Sequence, residues 1–231
     1  MNFKVTSLVL CAGVSLLALL PGKANAQALT TFASVDTIGQ VFQFLNSGAG
    51  STFGLTSASI PVTFRYKIAN GYGGIDQNID ATMTLTSLVS GGPGGFDQGI
   101  GDIQLSITAN TPINGQTNLL SMGATGRLTS QAGSDIANFG GNTRNNFIVG
   151  FSSDFLDFTN TTDRAFNFAL NSLNPPAGLN GNGYMNTWNA TGLGNFATIP
   201  AAQTTVPEPA TLALLGLAAI PGVVALRRRR S

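Results

Sequence analysis

Apolar and polar residues alternate with a period of two over three stretches of this chain. Ile60, Val62, Phe64, Tyr66 and Ile68 are spaced by Pro61, Thr63, Arg65 and Lys67. Ile79, Ala81, Met83 and Leu85 are spaced by Asp80, Thr82, Thr84 and Thr86. Ile103, Leu105, Ile107 and Ala109 are spaced by Gln104, Ser106 and Thr108. Successive side chains of a strand point to opposite faces, so each run predicts a strand with one buried and one solvated face. Ile60, Val62, Phe64, Ile79, Met83, Leu85, Ile103, Leu105 and Ile107 are therefore the expected core.

Shorter segments extend the pattern. Thr30 to Val35, Val41 to Leu45 and Thr52 to Leu55 read as short strands, and Leu119 to Leu128 as one broken by Gly123 and Gly126. Phe147 to Phe151 is almost wholly apolar, as a strand covered on both faces would be. Phe166, Phe168 and Leu170 alternate until Pro175-Pro176 ends the run, and Asn186 to Ala190 with Phe196 to Ile199 reads as a closing pair. The stretch Ser130 to Asn146 reads as a long loop with room for a helical turn. Glycine, asparagine and proline clusters such as 70–74, 91–95, 140–142 and 179–183 separate the segments, and these residues build turns. Many short strands between such clusters predict an all-β fold, a single antiparallel β-sandwich of jelly-roll type over residues 27–205.

The two ends follow other rules. Lys4, the mostly apolar Val5 to Leu20 and the small-x-small pattern Ala24-Asn25-Ala26 predict a secretory signal peptide over residues 1–26, cleaved before Gln27. At the other end, Pro200 to Thr205 forms a brief polar spacer before Val206-Pro207-Glu208-Pro209. Prolines fix φ and disfavour helix just ahead of them, so this signature should be extended and accessible. Ala210 to Leu226 follows without a charge. At helical rise it covers roughly 26 Å, just short of the ~30 Å hydrocarbon core of a bilayer. Pro221-Gly222 inside it would kink or weaken a helix. Arg227, Arg228, Arg229 and Arg230 close the run, and cations in that place stay on the cytoplasmic side.

This order of proline-glutamate-proline signature, short transmembrane helix and arginine block, over residues 206–231, closely resembles the PEP-CTERM sorting domain of bacteria. The resemblance implies recognition of Pro207, Glu208 and Pro209 by a membrane transpeptidase of the exosortase type. It implies an exported protein of the cell envelope, cell surface or extracellular matrix, held in the inner membrane by the C-terminal helix only before processing. Such tails are associated with exopolysaccharide and biofilm, so it also implies a matrix or adhesion role with extracellular polysaccharide as a partner.

Composition bears mainly on the passenger between the two ends. The chain carries a net charge of +1, but residues 27–205 hold five Lys or Arg against nine Asp, a net of −4. The basic balance belongs to the ends, and nothing in the passenger suits nucleic acid. The passenger has neither cysteine nor histidine. Disulfides, thiol nucleophiles, the commonest general base and the usual zinc ligands are thereby excluded from it. No cofactor is expected, and a non-catalytic protein is.

Three minor chemistries stay open on the residues. Asp154 and Asp157 are the nearest match to a carboxylate pair for glycan hydrolysis, although turn-holding is the simpler role for both. Asp76 to Asp80 and Asp97 to Asp102 offer oxygen ligands for calcium, but neither fits an EF-hand loop. Tyr184 and Trp188, beside a glycine loop, could stack on a sugar ring or simply fill core.

Overall fold

The computed structural model describes residues 28–47, 51–68, 75–90 and 94–200. Its strands are β1 (Thr30–Thr37), β2 (Phe42–Leu45), β3 (Thr52–Leu55), β4 (Ile60–Tyr66), β5 (Asn78–Val89) and β6 (Asp97–Ile113). They continue with β7 (Gln116–Thr129), β8 (Ala137–Asn142), β9 (Val149–Ser152), β10 (Thr161–Asn174) and β11 (Trp188–Pro200). One 3-10 turn, Thr143–Asn145, lies between β8 and β9.

All the strand pairings are antiparallel, and they close on themselves. The ring runs β1, β4, β5, β6, β7, β8, β10, β11 and back to β1. The remaining short strands continue three staves of this ring. β2 pairs with β11 at Trp188 to Ala190, in line with β1, which pairs with β11 from Leu193 onward. β3 pairs with β2 and, through Thr52 and Leu88, with β5, in line with β4. β9 pairs with Ser121 to Ala124 of β7, in line with β8 at Arg127 to Thr129. The architecture is thus an eight-stave meander in which each stave neighbours the next in sequence and the last pairs with the first.

This closure corrects the expected jelly-roll sandwich. A sandwich keeps two sheets with free edges and Greek-key crossovers, whereas here β1 is paired on both sides, with β4 and with β11. Alternation predicts which face of a strand is buried and is the same in both architectures. The all-β, antiparallel expectation holds. So does every member of the expected core from Ile60 to Ile107, all of them buried.

Four segments differ from expectation. Phe147 to Phe151, expected as a strand covered on both faces, is a strand only from Val149, and Ile148 is exposed, because the barrel wall is a single layer whose outer face meets solvent. Leu119 to Leu128 is an unbroken part of β7, since outward Gly123 and inward Gly126 keep the alternation in step. The expected loop Ser130 to Asn146 contains β8, with the expected turn reduced to Thr143–Asn145. The expected closing pair is one strand, β11, because Gly192 and Gly194 are part of its ladder to β10.

Phenylalanine fills the barrel. Phe53 of β3 meets Phe139 of β8 at a ring-centroid distance of 4.5 Å, and Phe32 of β1 meets Phe151 of β9 at 5.3 Å. Neither strand pair is adjacent, so these contacts cross the interior. The inward glycines of β11 give the rings their room. A Cβ on Gly194 would stand 2.6 Å from both Phe168 Cε1 and Val35 Cγ1, and one on Gly192 would stand 2.6 Å from Phe42 Cε2. Outward positions carry Thr, Ser, Asn and Gln instead. Apolar inside and polar outside is the reverse of a barrel that faces lipid.

The β6–β7 hairpin shows how the turns are encoded. Ile113 pairs with Gln116, so only Asn114 and Gly115 connect the strands, with φ of 52° and 81°. Positive φ at both central residues is the two-residue turn whose twist matches the strands it joins, and Asn-Gly suits it best.

Candidate functional site

The aspartates that bear the hydrolase expectation hold backbone. Asp154 Oδ2 accepts from the backbone N–H of Thr117 at 3.2 Å and of Asn118 at 2.9 Å, tying the start of β7 to the segment after β9. Asp157 Oδ1 accepts from the N–H of Thr159 at 2.8 Å and from its hydroxyl at 2.6 Å. Those two bonds, the hydroxyl's first, hold the Asp157 carboxyl below the usual carboxylate range. Both side chains thus take the turn-holding role, and Asp157 is biased toward the ionised form rather than the protonated form a general acid needs.

The acidic clusters weighed for calcium are partly engaged as well. Asp76 is ion-paired with Lys67, and Asp97 Oδ2 lies 2.7 Å from Arg127 Nη2. Among the described residues no three carboxylates, histidines or cysteines converge. The aromatic pair is core: Trp188 is 1 % exposed and stacks on Phe44 at 5.8 Å, and Tyr184 is 6 % exposed. Neither presents a face to a sugar.

The outer face of β5, β6, β7 and β9 carries a different arrangement. The register puts Thr84 opposite Ser106, Ser106 opposite Ser121, and Ser121 opposite Ser152. One hydroxyl row therefore crosses four strands. The adjacent row runs Thr86, Gln104, Gly123, Gly150 in the same order. The two glycines leave a furrow beside the hydroxyls, a groove of about 470 Å³ whose outward side chains are Thr84, Thr86, Gln104, Ser106, Ser121 and Ser152. None of these is charged. Ser121 Oγ donates to Asn118 Oδ1 at 2.9 Å, while Thr84, Thr86, Gln104, Ser106 and Ser152 make no side-chain hydrogen bond among the described residues.

Sequence reasoning passed over this groove. Thr84, Thr86, Gln104 and Ser106 stood only as the polar half of two alternations, and Gly123 as a break in a strand. The signal was there in the alternation, but pairing register is needed to bring β5, β6, β7 and β9 side by side.

The signal-peptide residues Ala24 and Ala26, the spacer beyond Pro200, the motif Pro207, Glu208 and Pro209, the apolar run Ala210 to Leu226 and Arg227 to Arg230 lie outside the described residues. Among the described residues no helix is long and apolar enough to cross a membrane. Comparison with known proteins bears on the tail directly. The model of the PEP-CTERM protein-sorting motif matches residues 205–230, the stretch that holds the Pro-Glu-Pro signature, the apolar run and the arginine block. Neither a curated protein nor a solved structure matches the chain. The chain is a PEP-CTERM domain-containing protein, an exported and exosortase-sorted precursor anchored in the cell envelope by its tail, whose passenger is an antiparallel β-barrel.

Proposed function

We propose that this protein is a non-catalytic component of the cell surface or extracellular matrix, displayed through its sorting tail and associated there with exopolysaccharide. The sorting motif at residues 205–230 carries this proposal, because it indicates an exported, exosortase-sorted precursor at the cell envelope. The barrel suits the role. Its interior is packed with aromatic rings, and its outer face is polar and rich in Thr, Ser, Asn and Gln, compatible with a hydrated polymer. Asp154 accepts from the backbone of β7 and Asp157 from the backbone and hydroxyl of Thr159, so the pair nearest to a hydrolytic site is engaged in holding the fold. In this proposal the tail is removed near Pro207-Glu208-Pro209, so the displayed form begins at Gln27 and ends close to the motif.

The test is fractionation of the native cell with immunodetection, combined with a glycan turnover screen. The protein is expected in the polysaccharide-containing surface fraction, with no turnover that depends on the aspartates. Hydrolysis abolished by Asp154→Asn or Asp157→Asn would make it an enzyme. Recovery in the inner membrane alone would remove the matrix role. The rival role, a calcium-dependent binding module, would show itself as glycan binding that is lost when a chelator is added.

A further inference from the structure

We infer that the furrow across β5, β6, β7 and β9 is a binding site for an uncharged, extended polysaccharide. The inference rests on the surface-matrix role proposed above and names the part of the barrel that meets the polymer. The two glycines carry it. Glycine inside a strand costs stability and normally marks a tight approach. Elsewhere in this barrel that is the case: a Cβ on Gly141 would stand 2.5 Å from Thr125 O, and one on Gly126 would stand 2.6 Å from Gly140 O. At Gly123 the nearest atom would be Gln104 Nε2 at 3.7 Å, and at Gly150 it would be Gly123 O at 3.7 Å. Those are ordinary van der Waals distances, and neither residue has the positive φ that favours glycine. The fold accepts a Cβ at both positions, yet both lack one and they face each other across the β7–β9 ladder.

What the missing side chains leave open is chemically uniform. Thr84, Thr86, Gln104, Ser106 and Ser152 present hydroxyls and one primary amide with no partner among the described residues. Hydroxyls both donate and accept, and the amide does each with a different atom, so the lining pairs with ligand hydroxyls of either sense. No charge lines the furrow, so nothing there offsets the desolvation of a carboxylate or phosphate. The row from Thr84 to Ser152 spans three inter-strand steps, roughly 14 Å in all. It crosses the strands and is open to solvent, which suits a short run of sugars within a longer chain. No exposed aromatic ring lines it, so affinity at one site is expected to be weak and to gain from many displayed copies on one polymer.

The test uses the full chain in a non-ionic detergent, with binding to immobilised dextran, galactomannan, a soluble β-glucan and acidic alginate followed by interferometry. At least one neutral polymer should bind in preference to alginate. Gly123→Thr with Gly150→Thr fills the furrow, should leave the thermal midpoint unchanged or raised, and should weaken that binding at least tenfold. Thr84→Val with Ser152→Ala removes hydroxyls with little change of shape, should fold as the parent does, and should weaken it several-fold. Undiminished binding by both folded double variants would overturn the furrow as the site, while leaving the matrix role intact if the native protein still fractionates with surface polysaccharide. Binding to none of the neutral polymers, or tighter binding to alginate, would overturn the inference outright. Absence of the native protein from the surface fraction would instead defeat the matrix role, and the in vitro binding would then stand by itself.

Discussion

At the scale of single residues, the barrel separates side chains that hold the fold from those that merely coat it. Phe64 and Thr84 lie on β4 and β5 with opposite orientations, one buried and one exposed. Phe64→Ala should cost about 3–5 kcal/mol by urea unfolding, whereas Thr84→Ala should be nearly silent. Equal small losses would mean the interior collapses around the missing ring. Tyr66 adds a pH-dependent contribution. Its hydroxyl donates to the carbonyl of Leu119 at 3.0 Å and is buried, and burial pushes its pKa up to about 12. A phenol that titrates higher in the folded chain than in the unfolded one contributes its full stability below pH ~10 and loses it as pH rises toward 12. Stability should therefore fall between pH 10 and 12, and Tyr66→Phe should flatten that fall relative to the parent. The same substitution should cost about 1 kcal/mol at neutral pH, because Leu119 O loses its donor. An unchanged alkaline slope in Tyr66→Phe would assign the fall to other groups.

At the scale of elements, glycines in strands do two unlike jobs. On β11, Gly192 and Gly194 face inward and make space for Phe42, Phe168 and Val35, so their absence of side chain is a packing requirement. On β7 and β9, Gly123 and Gly150 face outward, where a Cβ would meet its nearest neighbour only at 3.7 Å. Gly194→Ala should therefore destabilise by about 1–3 kcal/mol through overpacking. Gly123→Ala should be neutral or stabilise by up to about 1 kcal/mol. Denaturant midpoints of the two single variants decide this, and a loss at Gly123 as large as that at Gly194 would contradict the geometry. The β6–β7 turn offers a third case. Gly115 has φ of 81°, so Gly115→Val should weaken the hairpin and shift the thermal midpoint down by several degrees.

At the scale of the whole molecule, a closed barrel is followed in the chain by a sorting tail. Among the described residues each of the eight ring strands is paired on both sides, while the short β9 pairs with β7 alone. Exposed edges are what exported β proteins must otherwise blunt against aggregation. The tail has the opposite character: marginal in length, broken by Pro221-Gly222 and ended by four arginines. Intact mass of the surface fraction should show a chain that starts at Gln27 and lacks Arg227 to Arg230. Full-length tail in that fraction would make the segment a permanent anchor. Alanines in place of Pro207-Glu208-Pro209 should leave the precursor in the membrane, and loss of the arginines should impair its retention before cleavage.

The sequence by itself determined which faces are buried and where the protein is sent. Period-two alternation is a local property, so Ile60 to Tyr66, Ile79 to Leu85 and Ile103 to Ala109 declared strands and core face directly. The sorting signature is also local, a linear segment matched at residues 205–230. Closure was not local. Whether the stave containing β11 pairs with β1 depends on partners more than 150 residues apart, and an alternating strand reads the same in a sandwich as in a barrel. Asn114-Gly115 was legible as a hairpin turn and was passed over, although it sets the register of β6 against β7. The glycine-poor strands were recovered and the glycine-rich ones were fragmented, because whether a glycine breaks a strand or serves it depends on what stands opposite. For Gly194 that is Phe168, and for Gly123 and Gly150 it is open groove. Only tertiary structure supplies the opposite side, and so only tertiary structure lines up Thr84, Ser106, Ser121 and Ser152 into one row.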